Sequence, residues 1–253
     1  MTKLTFLGTG TSQGVPMIGC GCDVCRSSDP RDKRLRSSVL VEHEGRTFLV
    51  DAGPDFRQQM LRADVSHVDA ILLTHNHKDH TGGLDDIRAF NYLENKASQI
   101  YCEKYVEDAL RMEYSYAFAE KKYPGAPEWD VHIIDEKPFS INGVEIIPIR
   151  GMHYKLPVLG YRFGNIAYCT DMNHIPEEEF AKLQGLDHFV INCVKYGKHI
   201  SHYSLEEAVA VAQRVGAKHS WLTHLSHRLP CYETLAAKLP AGILPAYDGM
   251  VLE

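Results

Sequence analysis

The feature that most constrains this 253-residue chain is a run of three histidines and one aspartate within six residues. His75, His77, Asp79 and His80 directly follow an apolar segment, residues 68–73, which is typical of a short buried strand. Side chains alternate along an extended segment, so His75 and His77 point to the same side and can bind one metal ion. Asp79 and His80 come one turn later, where the chain coils into a helix, and face a neighbouring position. The spacing therefore predicts two adjacent metal sites, and imidazole with carboxylate favours zinc or manganese.

The composition is that of a single globular domain spanning residues 1–253, because 44% of the residues are hydrophobic and 24% are charged. No apolar run approaches the roughly 18 residues of a membrane span, so no membrane partner is expected. The start has no basic segment followed by an apolar one, which indicates a cytoplasmic protein without a signal peptide. A net charge of −6 would repel a long nucleic acid, which we do not expect as a partner.

The seven cysteines divide into a cluster and four scattered residues. Clustered thiolates in a loop are ordinary zinc ligands, and here a fourth ligand must come from elsewhere in the chain. The odd number and the wide spacing favour metal ligation and buried thiols over disulfides. The cluster is Cys20, Cys22 and Cys25, and the scattered residues are Cys102, Cys169, Cys193 and Cys231.

Four further chemically active side chains lie at or just past the ends of predicted strands. Asp51 ends the second strand of a predicted hairpin, a position that suits orienting a ligand histidine. His153 lies just past a predicted strand at residues 144–149, Asp171 directly follows another, and His224 ends the last core strand. A metal centre at one edge of the sheets would recruit such residues.

His202 stands two residues before a helix whose start is marked by a capping box, Ser204 with Glu207. The N-terminus of a helix also favours nearby anions such as phosphate. The glycine-rich loop at residues 8–16 is not a dinucleotide-binding fingerprint, because no helical pattern follows it. It is either a backbone contact near the substrate or a plain connection. The aromatic segment at residues 113–129 can be a lid, an interface patch, or a helix packed on the core followed by a turn.

Together these residues resemble the signature of the metallo-β-lactamase superfamily. The opening Gly-Thr-Gly-Thr-Ser-Gln-Gly-Val-Pro, the cysteine cluster and the Thr-His-Leu-Ser-His at residues 223–227 are most similar to the phosphodiesterases of bacterial phosphonate breakdown, which hydrolyse 5-phosphoribosyl 1,2-cyclic phosphate. The resemblance implies an α/β fold. It would be an αββα sandwich, with two packed mixed β-sheets flanked by helices and the metals at one edge.

The resemblance also implies a role for each candidate residue. One active-site metal would be held by His75, His77 and His153. The other would be held by Asp79, His80 and His224, with Asp171 bridging the two. A separate structural zinc would be bound by Cys20, Cys22, Cys25 and His227.

Catalytic roles are assigned by the same resemblance to His202 and to Asp79. Relatives commonly carry an acidic residue near position 192, which can pair with the catalytic histidine. This chain has Asn192 there. The long basic arm with which relatives grip transfer RNA is also missing from this sequence.

The expected function is a two-metal phosphodiesterase that acts on a small cyclic or nucleotide phosphodiester. Hydroxide held between the metals would attack phosphorus, and His202 would protonate the leaving group as general acid. Two alternatives remain open: an acyl hydrolase for thioesters or lactones, and a metal-binding scaffold without turnover. The resemblance further implies a homodimer.

Overall fold

The computed structural model describes residues 2–253, which form two seven-stranded β-sheets with helices outside them. The strands are β1 (Thr2–Gly8), β2 (Ser38–His43), β3 (Arg46–Val50), β4 (Ala70–Leu72), β5 (Ser98–Cys102), β6 (Trp129–Ile133), β7 (Phe139–Ile141), β8 (Val144–His153), β9 (Leu156–Phe163), β10 (Ile166–Cys169), β11 (His188–Asn192), β12 (His219–Thr223), β13 (Ile243–Pro245) and β14 (Val251–Leu252). The α-helices are α1 (Asp23–Arg26), α2 (Phe56–Arg62), α3 (Lys78–Thr81), α4 (Arg88–Glu94), α5 (Lys104–Glu113), α6 (Leu205–Val215) and α7 (Tyr232–Ala236). Short 3-10 helices cover Pro30–Asp32, Leu84–Ile87, Ser115–Ala117 and Glu177–Leu183.

The two sheets have the same mixed design. The first has the order β14-β1-β2-β3-β4-β5-β6, and the second has the order β13-β12-β11-β10-β9-β8-β7. In the first sheet the pairs from β14 to β3 are antiparallel and those from β3 to β6 are parallel. In the second, the pairs from β13 to β10 are parallel and those from β10 to β7 are antiparallel. Each half of the chain therefore builds one sheet, apart from β14, which crosses back to pair with β1.

The core consists of three apolar layers, one between the sheets and one on each outer face. The inner layer contains Phe6, Phe48, Tyr161 and Val190, none of which is exposed to solvent. Strands of both sheets alternate inward and outward side chains, so each sheet buries one face on the other sheet and one under helices. No helix within residues 2–253 has the length and apolar character needed to cross a membrane. The predicted αββα arrangement is confirmed.

Helix α6 shows how the local sequence fixes an outer element. The Ser204 hydroxyl accepts from the backbone N–H of Glu207, and the Glu207 carboxylate accepts from the backbone N–H of Ser204, so the predicted capping box forms. Ala208, Ala212 and Val215 are buried at helical spacing against the second sheet. Two backbone donors at the start of the helix are thereby satisfied, and its apolar face covers the second sheet just after the loop that carries His202.

The sequence also predicts one closing strand at residues 246–252, and here the structure differs. Within this range only Val251–Leu252 form a strand, β14 of the first sheet, and residues 246–250 connect it by a turn to β13 of the second sheet. The turn arises because the buried Asp248 carboxylate accepts from the backbone N–H groups of Thr9 and Leu35, at 2.9 and 2.8 Å, which a regular strand would not allow. A second difference is that β8 continues to His153, whereas the sequence predicts a strand that ends at residue 149.

The aromatic segment at residues 113–129 begins by packing on the core. Tyr114, Ala117 and Trp129 are buried in the outer layer of the first sheet, while Tyr123 is exposed. The Tyr114 hydroxyl donates to the carbonyl of Thr81 at 2.9 Å, which ties this segment to the end of α3. Of the three interpretations left open, packing of a helix on the core followed by a turn describes this part of the chain.

Candidate metal centre

The histidine run lies at the carboxyl end of β4, in the first sheet. The rings of His75 and His77 have centroids 4.6 Å apart, and those of His75 and His80 are 4.3 Å apart. His77 directly precedes α3, whose first turn carries Asp79 and His80. The loop can pack this closely because Gly53 has no side chain: a Cβ there would lie 2.0 Å from the carbonyl oxygen of Asp79.

Asp51 lies beneath this loop and fixes the orientation of His80. Its Oδ2 lies 2.6 Å from Nδ1 of His80, whose N–H donates to it. Its two oxygens also accept from the backbone N–H and the hydroxyl of Thr74, at 2.8 and 2.9 Å. With Nδ1 engaged, His80 presents Nε2 to the site. This is the way carboxylates orient metal-binding histidines in proteins.

Asp171, from the second sheet, lies at the centre of the cluster. Its Oδ1 is 2.9 Å from Nδ1 of His224. Its Oδ2 is near the Nε2 atoms of three further histidines, and the carboxylate is almost completely buried. Those distances are 3.3 Å to His80, 3.4 Å to His202 and 3.8 Å to His75. One carboxylate therefore reaches residues from both sheets.

Three site residues take a backbone conformation that few residues adopt. Asp51, Asp171 and His224 have φ values of 63°, 54° and 56°, and each follows a strand directly or within two residues. Aspartate, asparagine and histidine tolerate this left-handed region better than other non-glycine residues, and such positions cluster at active sites. The turn out of each strand points the side chain into the space between the sheets' edges.

His153 completes the cluster. Its ring centroid lies 5.0 Å from that of His77 and 4.5 Å from that of His202. The ligand atoms within 4.8 Å of one another form three overlapping groups. These are Asp79, His80, Asp171 and His224; His75, His77 and Asp171; and His153, Asp171 and His202. All seven metal ligands expected from the sequence are brought together, although His153 groups with Asp171 and His202 rather than with His75 and His77.

The residues present fit divalent metal ions. Within residues 2–253, buried ring nitrogens of four histidines lack a hydrogen-bond partner: Nε2 of His75, His80 and His202, and Nδ1 of His153. A buried polar atom without a partner costs about 1–3 kcal/mol, so four of them in one cluster require an explanation. Nitrogen lone pairs that converge on a shared carboxylate are the donor set of zinc and manganese sites.

The electrostatics of the cluster also favour cations. Burial lowers the pKa of His75 and His77, and it lowers the pKa of His153 to about 4, so these imidazoles are neutral, the form that binds a metal. Burial would also lower the pKa of His80, but the carboxylates of Asp171, Asp79 and Asp51 raise it well above its usual value. A buried site that favours positive charge on a histidine also favours a metal ion.

His202 faces this cluster from the loop before α6. Its Nδ1 lies 3.1 Å from the Ser201 hydroxyl and 3.2 Å from Nδ1 of His199. Asn192 does not contact it. The Asn192 amide instead accepts from the backbone N–H of Met172 and donates to the Met172 carbonyl, at 2.8 and 3.0 Å. Asn192 therefore fixes the backbone beside Asp171, and the polar partners of His202 Nδ1 come from its own loop.

The cysteine cluster forms a second possible metal site. The Sγ atoms of Cys20 and Cys22 lie 3.2 and 3.5 Å from Nδ1 of His227, and Cys25 completes a set within 4.8 Å. The backbone N–H of Cys25 and the His227 imidazole lower the pKa of the Cys22 thiol to about 6, toward the thiolate that binds zinc. Three thiols and one imidazole fit a closed tetrahedral zinc site. All seven cysteines are free of disulfides.

Sequence reasoning missed the hydroxyl groups that support the ligands. The hydroxyls of Ser37, Thr74 and Thr170 lie 3.1, 2.9 and 2.9 Å from His224, His75 and Asp171, respectively. Thr74 and Thr170 directly precede a ligand in the sequence, which is a usable signal, whereas Ser37 is 187 positions from His224. The backbone of the glycine-rich loop contacts Leu225, the residue after His224: the Leu225 N–H donates to Thr9 at 2.8 Å. The glycine-rich loop thus fixes the backbone next to the ligand His224.

Comparison with known proteins agrees with this geometry. Residues 46–225 match the model of the β-lactamase superfamily domain. A crystal structure of a new diphosphatase from the PhnP family has a TM-score of 0.93, with 40% identity over 100% of this chain and 98% of that one. A protein of Porphyromonas gingivalis named octanoyltransferase is 42% identical over 251 residues, which are 98% of this chain and 51% of that protein. Coenzyme PQQ synthesis protein B of Methylococcus capsulatus is 30% identical over 56% of this chain and 50% of that protein.

The chain therefore belongs to the metallo-β-lactamase superfamily and, within it, to the PhnP family. It spans about half the length of the curated relatives it matches. The zinc-bound PqqB of Methylobacterium extorquens, at 18% identity and a TM-score of 0.81, shares the fold.

Proposed function

We propose that this member of the superfamily is a two-metal phosphohydrolase that cleaves a small phosphodiester or diphosphate. The observation that carries the proposal is the position of Asp171, which belongs to all three groups of potential ligands in the active site. A carboxylate shared in this way can hold two ions at a fixed spacing. The similarity to a diphosphatase over the whole chain supports phosphoryl rather than acyl chemistry.

Each ligand set combines residues from both sheets. His75 and His77 would hold one ion together with His153, and Asp79, His80 and His224 would hold the other. When bound, such a pair of divalent ions supplies a nucleophilic water at neutral pH and offsets the charge of the phosphate. Asp51 keeps His80 in the orientation that leaves Nε2 free. We propose zinc or manganese for the two active-site ions. We also propose a structural zinc bound by Cys20, Cys22, Cys25 and His227, and a homodimer located in the cytoplasm.

His202 is the general acid in this proposal. To act as an acid, His202 must be the imidazolium, which carries a proton on each nitrogen: Nδ1–H would donate to the Ser201 hydroxyl oxygen, and Nε2–H would face the site. A proton held there can be given to the departing alkoxide or phosphate oxygen. A positioned acid of this kind typically contributes ~10²–10⁴-fold to the rate.

The decisive experiment compares His202→Ala with wild type on two kinds of diester. With an alkoxide leaving group, as in a cyclic ribose phosphate, kcat should fall by ~10²-fold or more, because the leaving oxygen needs a proton. On bis(p-nitrophenyl) phosphate the loss should be much smaller, since p-nitrophenolate leaves without one. His219→Ala, an exposed histidine on the far end of β12, serves as the matched control. Equal losses on both substrates would contradict the general-acid role and indicate phosphate binding instead.

A second candidate is hydrolysis of an acyl bond. Its support is the 42% identity to the Porphyromonas gingivalis octanoyltransferase, although about half of that protein has no counterpart in this chain. Release of a thiol from an octanoyl thioester, with no phosphate diester cleaved, would favour this candidate. Cleavage of neither substrate class by metal-loaded protein would favour a metal-binding scaffold.

A further inference from the structure

A cavity of about 510 Å³ opens beside the metal centre, next to His77 and His153. Its other walls are formed by Tyr154, Lys155, Leu156, Ile200 and Ser201. Tyr154 and Ile200 are large apolar side chains that are nevertheless 52% and 66% exposed. A concave, largely apolar pocket next to converging polar groups is the usual form of a small-molecule site. The two exposed side chains are therefore candidates for contact with the substrate.

Tyr154 occupies a position where its side chain is costly. It is the first residue of a two-residue hairpin loop, because His153 pairs with Leu156 across β8 and β9. Its φ is 60°, a left-handed value that glycine takes readily at the first position of such a loop. A bulky residue with this φ is an outlier, and strain of this kind is found where a side chain is needed for function. A glycine would form the turn with less strain but would leave the cavity without an aromatic wall.

Asn173 fixes the distance between the two walls. Its amide oxygen accepts from the backbone N–H of Tyr154 at 2.9 Å, and its amide nitrogen donates to the carbonyl of Ile200 at 3.1 Å. Tyr154 and Ile200 belong to separate loops, so a single side chain sets the width of the gap between them. The opening is thus formed before any ligand enters.

We propose that Tyr154 and Ile200 form a clamp for the planar base of a nucleotide substrate. The tyrosine ring supplies a stacking face, and the isoleucine supplies an apolar contact to the other side of the base. The Lys155 ammonium lies over the Tyr154 ring, 5.4 Å from its centroid, and brings to the cavity a positive charge that suits the phosphates of a nucleotide. The proposal rests on the phosphohydrolase function for the reacting bond, whereas recognition of the base depends on the clamp alone.

The test is the binding of two ligands by full-length protein carrying its metals, measured by isothermal titration calorimetry. Adenosine monophosphate and ribose 5-phosphate both present a ribose and a phosphate, so the ratio of their affinities reports the base. Wild type should bind the nucleotide about tenfold or more tightly, as base stacking on an aromatic ring predicts. Tyr154→Gly should lose most of this ratio, should bind ribose 5-phosphate as wild type does, and should have an equal or higher Tm.

Tyr123→Gly is the matched control, because Tyr123 is 79% exposed and lies outside the cavity. It should keep the wild-type ratio. Equal affinity of wild type for the two ligands would overturn the clamp. An equal loss of affinity for both ligands in Tyr154→Gly would also overturn it. The binding test measures no turnover, so it is independent of the proposed function. Failure to hydrolyse phosphate esters would contradict the proposed function, and the affinity ratio would still test the clamp.

Discussion

Replacing Asp171 by asparagine removes one negative charge from the centre of the site and changes its shape very little. The carboxylate oxygens lie 2.9–3.8 Å from nitrogen atoms of four histidines, so any ion held by those nitrogens lies close to the charge. A pair of unit charges about 4 Å apart interacts by about 4 kcal/mol at an effective dielectric constant of about 20. At about 1.36 kcal/mol per decade, this corresponds to ~10³-fold weaker metal binding. Because each ion would carry two positive charges, the single-charge value is a lower bound on the loss of affinity.

The chain should tolerate this substitution. Asp171 has a φ of 54°, and asparagine accepts that conformation about as well as aspartate. Neither a clash nor a new cavity is introduced. A loss of metal can therefore be read as an electrostatic effect, provided that the circular dichroism spectrum is unchanged.

The assay is metal content by mass spectrometry after dialysis against a chelator of graded strength. Asp171→Asn should lose the two active-site ions at chelator strengths that wild type resists, and it should keep the zinc bound by the cysteine cluster, which acts as an internal reference. Asp130→Asn, whose side chain is 59% exposed, is the matched control and should behave as wild type. Full retention of all ions by Asp171→Asn would refute the bridging role of Asp171.

Two further predictions concern the cysteine cluster and the packing beneath the histidine run. Cys22→Ser should lose one zinc per chain and lower the Tm, while the two active-site ions remain; unchanged zinc content and Tm would contradict a structural site there. Gly53→Ala places a Cβ 2.0 Å from the carbonyl oxygen of Asp79, where the backbone must move. It should lower the free energy of unfolding in urea by about 1–3 kcal/mol, and weaker metal binding should accompany it because Asp79 shifts; wild-type values for both would show that the loop yields freely.

The parts of the site that were predictable are those written in short stretches of sequence. His75, His77, Asp79 and His80 fall within six residues, and so do the three clustered cysteines, so spacing alone indicates a metal. The predicted hairpin of β2 and β3 and the helix α6 were also found, because alternation and a capping box are local signals.

The remaining features depend on contacts between distant residues. No local pattern around Ser37 predicts its 3.1 Å contact with His224, because the two residues come together only after β1, β2 and β12 have packed. Asn192 occupies the position where relatives have an acidic partner for the catalytic histidine. Its amide instead makes two hydrogen bonds to the backbone of Met172, which the sequence does not predict. The end of the chain was mispredicted as one strand because Asp248 is buried among backbone donors that no local pattern reveals.

The division of ligands between the two sheets has a consequence for how the protein assembles. His75, His77, Asp79 and His80 belong to the first half of the chain, and His153, Asp171 and His224 belong to the second. Neither half alone carries all the ligands of either ion. Tight metal binding would therefore require that the two halves have already packed together. Ions that bind only the docked state then stabilise it in proportion to the logarithm of their concentration over Kd. The concentration of available metal in the cell would thus affect the lifetime of the folded protein as well as its turnover. Loss of metal would first weaken the contact between the two sheets at the metal site.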